Sequence, residues 1–144
     1  MAIVVGLSDS PLGQRAMRRA AEEAVLRDLP VVLVSHVAMP RNENDAGRYR
    51  QRREEAEAQL DRAVRQLREE GVRAQTYLPS GPSDAADAIL AAAEEHAASL
   101  IVVGLRRRSP VGKVFLGSTA QDVLLGADCA VLGVKLPRDE EDAD

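Results

Sequence analysis

Five short apolar runs punctuate the chain, and between them apolar positions recur every three or four residues. The first run, Ala2-Ile3-Val4-Val5-Gly6-Leu7, shows no alternation, which predicts a strand covered on both faces in a parallel sheet. Ser8-Asp9-Ser10-Pro11 breaks it, and Ser10 before Pro11 reads as an N-cap with proline at the first helical position. That helix turns Ala16, Ala20 and Ala24 inward and ends near Asp28. Val31 to Val37 is a second buried strand, completing a βαβ unit whose crossover is expected to be right-handed. Met39 to Asp45 is a loop. From Gly47 onward Tyr49, Ala56, Leu60, Ala63 and Leu67 mark one face of a long charged helix that Gly71 ends. Val72 to Leu78 predicts a third strand, and Pro79-Ser80-Gly81-Pro82 separates it from a helix carrying Ala85, Ala86, Ile89, Leu90 and Ala93. Leu100 to Val103 is the fourth strand, a short helix runs from Ser118 to near Leu125, and Ala130 to Lys135 is the fifth strand.

Strands alternating with helices predict an α/β fold, a single-domain doubly wound sandwich around a five-stranded parallel sheet. The 144 residues suffice for one domain, taken as residues 1–137, followed by an acidic tail, 138–144, expected to be disordered. Aromatic residues are only 2%, so Val, Leu, Ile and Ala must build the core. The net charge of −4 argues against a general nucleic-acid binder. No apolar run approaches the roughly 20 residues that span a bilayer and no signal-peptide pattern opens the chain, so a cytoplasmic protein is expected.

The chemistry concentrates between Leu100 and Lys135. Gly104 is expected to let the backbone turn sharply after the fourth strand, and the helix near Ser118 offers unpaired amides and a positive dipole end. Ser118 with Gln121 fits a capping box, a role that shares its amides with anion binding. Arg106-Arg107-Arg108 is either a solvated face or a set of planar donors for phosphate. Gly112-Lys113 fails as a P-loop, since Arg107 stands at the earlier glycine position and Val114 follows the lysine. His36 and His96 lack partners at metal-ligand spacing, and Cys129 reads as packing rather than as a nucleophile. A phospho-receiver reading fails because the third strand ends in Leu78-Pro79-Ser80 without an aspartate.

Gly104, Arg107, Gly117 and Ser118 lie at the spacing of G-x2-G-x9-G-[ST], and the stretch resembles the signature of the universal stress protein family, with Arg107 in place of the middle glycine. The resemblance extends over essentially the whole chain. It implies the strand order 3-2-1-4-5, so that the loops after Leu7 and Val103 open onto one crevice at the topological switch point. In nucleotide-binding members the glycines and the hydroxyl residue wrap the ribose and phosphates of ATP. The first strand of those members runs into Asp-Gly-Ser, where this chain has Ser8, Asp9 and Ser10. The implied contacts are therefore Ser8, Asp9, Ser10, Val37 (through backbone groups), Val103, Gly104, Arg106, Arg107, Gly117, Ser118 and Thr119. Arg107 either replaces a backbone contact or fills the space of phosphate or ribose. The ligand implied is ATP or another adenine nucleotide, with or without Mg2+, held by a regulatory module without catalytic residues. A non-nucleotide interaction module and a slow ATP hydrolase are the alternatives. Pairing of the edge strand Ala130 to Lys135 with a second copy implies a homodimer.

Overall fold

The computed structural model describes residues 1–106 and 116–141. The elements are β1 (Ala2–Gly6), α1 (Pro11–Arg27), β2 (Val31–Val34), α2 (Ala46–Glu69), β3 (Ala74–Tyr77), α3 (Ala85–Glu95), β4 (Ala98–Gly104), α4 (Ser118–Gly126), β5 (Ala130–Val134) and α5 (Arg138–Glu141). All strand pairs are parallel, in the order β3-β2-β1-β4-β5.

The unalternating strands are explained by two cores, one on each face of the sheet. Ile3, Val5, Val31, Leu33, Leu100 and Val102 point to a layer shared with Ala16, Ala20 and Ala24 of α1 and Leu60, Val64 and Leu67 of α2. The intervening positions Val4, Val32, Val34, Ile101 and Val103 point to the opposite layer, with Ala86, Ile89 and Ala92 of α3 and Ala120 and Val123 of α4. Small alanines on α1 and α3 bring the helices close to a sheet whose one aromatic side chain among the described residues is Tyr77, at the end of β3.

Several expected boundaries move. β2 stops at Val34 and β3 occupies only Ala74–Tyr77, because the flanking residues leave the ladder. β4 begins two residues earlier than the apolar run, at Ala98, since Ala98 pairs with Ala2. Tyr49 is half-buried rather than core, while Val64 joins the buried face of α2. Gly71 follows α2 at φ +86, the left-handed turn that suits glycine. Ser10 caps α1 as expected, its Oγ accepting from the Gly13 amide at 3.0 Å. A capping box sits instead on α3, between Asp84 and Asp87. The acidic tail begins as the single helical turn of α5.

Glu23 is the charged side chain buried among the described residues, and Arg19 and Arg27 each reach it at 3.0 Å. The Arg27 hydrogen bond, opposed by burial, holds its carboxyl below the ordinary 4.5. Glu23→Gln is expected to cost about 1 kcal/mol near neutral pH, since both arginines are half-exposed. A folded-state value below the unfolded one gives stability that is complete above about pH 4.5 and lost as pH falls through the folded value. Urea unfolding of both proteins at about pH 7 and about pH 3 checks this. A gap that persists at the lower pH would contradict it.

Candidate functional site

In an all-parallel sheet every strand ends on the same side, and the order β3-β2-β1-β4-β5 reverses direction between β1 and β4. The carboxyl ends there are held level by hydrogen bonds beyond the strands. The Leu7 amide donates to the Val34 carbonyl at 2.7 Å, and the Leu105 amide to the Val134 carbonyl at 2.7 Å.

The loop after β1 is folded back on the start of α1. Ser8 Oγ and Ser10 Oγ lie 3.0 Å apart, and the Ser10 amide donates to Ser8 Oγ at 3.3 Å. Position 13 must be glycine for this loop to sit so low, because a Cβ there would lie 2.7 Å from Ser8 Oγ and 2.9 Å from the Ser8 carbonyl oxygen. Ser8 and Asp9 remain exposed.

Gly104 is needed for a reason other than the expected sharp turn. It is absent from the positive-φ glycines among the described residues, which are Gly71 and Gly81. A Cβ on Gly104 would stand 2.7 Å from Leu12 Cγ, so the missing side chain lets the first turn of α1 lean onto the end of β4. Leu12 thus joins the two loops of the switch point, and no motif in the sequence singled it out.

α4 lies antiparallel to the strands and so presents its N-terminus at the same end of the sheet. The capping box expected at Ser118 is absent. Gly117 is the N-cap, Ser118 is already helical, and no side chain caps the first turn. Ser118 and Thr119 are exposed, while buried Ala120 and Val123 anchor the helix beneath them. A Cβ on Gly117 would meet nothing within 4 Å among the described residues. Among the described residues nothing covers the helix start and no side chain claims its amides.

Of the other expected residues, Arg106 is exposed beyond β4, while Val37 and Val103 are buried, Val103 in the core against α3 and α4. Only backbone groups of these two valines are left for the crevice. Arg107 and Arg108 lie outside the described residues. His36 is exposed after β2, whereas His96 closes α3 and meets Tyr77 edge-on at 6.0 Å. Burial pushes the Cys129 thiol up, away from a reactive thiolate. Arg53 was not foreseen either: its guanidinium donates to the Pro79 carbonyl at 2.8 Å and the Leu78 carbonyl at 3.2 Å, tying α2 to the loop after β3.

A doubly wound parallel sheet with glycine-opened loops at its switch point defines a class of α/β proteins whose crevice takes small ligands. The sequence model of the universal stress protein family matches residues 1–135. A universal stress protein of Mycolicibacterium smegmatis is 36% identical over 133 residues, covering 92% of this chain and 96% of the relative. A universal stress protein structure from Archaeoglobus fulgidus is 37% identical with TM-score 0.76, over 94% of this chain and 98% of the other. A structure of the universal stress protein from the same archaeon in complex with dAMP is 32% identical with TM-score 0.71, again over 94% and 98%. The chain belongs to the universal stress protein family.

Proposed function

We propose that the crevice at the ends of β1 and β4 binds an adenine nucleotide, and that the chain is a regulatory module of the cytoplasm that holds this ligand without fast turnover. The observation that carries this reading is the start of α4, where, among the described residues, nothing lies within 4 Å of a Cβ on Gly117 and no side chain caps the first turn. The relative crystallised with dAMP supports the adenine class. In this reading the amides of Ser118 and Thr119 receive phosphate, Arg106 and Arg107 neutralise it, and Gly104 keeps the crevice floor low. Ser8, Asp9 and Ser10 face ribose and base, and Val37 and Val103 contribute backbone groups. ATP is the fullest ligand such a helix start serves, with Mg2+ entering as the counter-ion of its phosphates. Asp9 is exposed and has no partner among the described residues to position it as a water-activating base, so in this reading hydrolysis is slow.

The test is to denature freshly purified protein and chromatograph the supernatant. An adenine nucleotide near one equivalent supports the proposal. An empty supernatant, with no heat on titrating ATP and Mg2+, overturns it in favour of an interaction module. One observation favours that second reading: the hydroxyls of Ser8 and Ser10 are already engaged with each other and with the Gly13 amide.

Both readings include a symmetric homodimer. β5 is an edge strand whose Val131, Leu132 and Gly133 are only half-buried, and apolar edges of this kind are seldom left unpaired. A groove of about 420 Å³ runs beside it, between Leu132 to Lys135 and the α1 residues Arg15, Arg18 and Arg19. Sedimentation at micromolar concentration is expected to give twice the chain mass; a monomer would refute the pairing.

A further inference from the structure

A second set of cations lies along the connection from β2 to α2, beginning just beyond Val37. Met39 and Arg41 from the connecting loop and Asp45, Arg48, Tyr49 and Arg52 from the start of α2 line a groove of about 230 Å³. Arg48 and Arg52 are one helical turn apart, so two like charges share one face, a placement that weakens a helix unless something offsets it. Arg41 is brought to the same place by the turn that follows it, where Asn42 Oδ1 accepts from the Asp45 amide at 3.2 Å.

These three guanidiniums share one groove and are among the arginines with no ion pair or hydrogen bond among the described residues. Arg18, Arg19, Arg27 and Arg73 reach carboxylates, and Arg53 and Arg68 reach backbone carbonyls. Among the described residues Arg41, Arg48 and Arg52 reach neither, and Asp45, although it lines the groove, is paired with none of them. Three arginines against one aspartate leave the groove cationic in a chain whose net charge is −4. Its volume is below the roughly 300 Å³ at which pockets for drug-sized molecules begin, so the guest is compact. Planar guanidinium forks match the oxygen edges of a phosphoryl group, and several of them around one space suit a dianion better than a single carboxylate. Half-buried Tyr49 and the Met39 side chain supply an apolar wall for the remaining atoms of such a ligand.

We propose that this groove binds a small phosphorylated metabolite through its phosphoryl group, at a site distinct from the nucleotide crevice. The probe is inorganic pyrophosphate, titrated calorimetrically into the full chain at low salt, where screening is weakest. Because pyrophosphate also suits the start of α4, the titration is run in parallel on Gly117→Leu. Pyrophosphate binding is expected to survive Gly117→Leu and to weaken by about tenfold or more in Arg48→Gln/Arg52→Gln, with AMP affinity and thermal midpoint unchanged in the latter. Both arginines are exposed, so the double variant keeps its fold. Binding that disappears with Gly117→Leu but ignores the arginine changes would overturn the proposal, as would no binding to the unaltered chain. Displacement of pyrophosphate by a short poly-aspartate peptide at lower concentration than by AMP would overturn it in favour of an acidic peptide.

Discussion

Replacing Gly117 by leucine is expected to lower adenine-nucleotide affinity by about a hundredfold, ~2.8 kcal/mol, while leaving the fold in place. The two halves of this expectation come from the same fact. A Cβ at position 117 meets no described atom within 4 Å, so the described residues leave room for a side chain. The backbone there is extended, φ −63 and ψ 159, a conformation leucine adopts freely. The cost to the helix is limited to about 1 kcal/mol for a poorer N-cap residue. Gly117 immediately precedes the first amides of α4, so in the proposed binding mode an isobutyl group there competes with the phosphates for space. Calorimetry with ATP and with AMP, beside a thermal melt, measures both halves. Unchanged affinity would remove the start of α4 from the site.

Gly104→Ala tests the other side of the crevice, and its largest effect is on stability. The added methyl would sit 2.7 Å from Leu12 Cγ and 3.0 Å from Cδ2, closer than nonbonded carbons tolerate, and the expected loss is about 1–3 kcal/mol. For a chain of this length that lowers the melting midpoint by about 4–10 °C. Leu12→Ala in the same molecule removes the obstruction. The double variant is then expected to be more stable than the sum of the single losses by about 1–2 kcal/mol. If Gly104 served to turn the chain, removing Leu12 would bring no relief. Thermal or urea unfolding of the four proteins forms the complete cycle.

The architecture was legible because its cause is written locally. Runs such as Val31 to Val34 and Leu100 to Val103 are apolar at every position, and only a strand buried on both faces makes use of that. The helix start at Ser10-Pro11 was equally plain, since one hydroxyl and one fixed φ determine it. What could not be read were contacts that no sequence motif marks. Leu12 against Gly104, Ser8 against Gly13 and Arg53 against the carbonyls of Leu78 and Pro79 depend on the packed helices rather than on any motif. The capping box illustrates the limit. Ser118 and Gln121 had the right spacing, yet the helix begins one residue earlier, at a Gly117 cap, and the working box is the Asp84 and Asp87 pair of α3. The strand order, on which the crevice depends, came from the family resemblance and stands in the structure as expected.

The central position of β1 has a consequence for synthesis. One edge of β1 pairs with β2, with Ile3 opposite Val31, while its other edge pairs with β4, with Ile3 opposite Leu100. During translation the first partner follows within seconds at rates of about 5–20 residues per second, but the second emerges only after α1, β2, α2, β3 and α3 have been made. Until then the nascent chain carries a hydrogen-bonding edge of Ala, Ile and Val with nothing against it, the kind of template on which neighbouring nascent chains aggregate. Closure of the sheet therefore waits on β4, however early β1 and β2 pair.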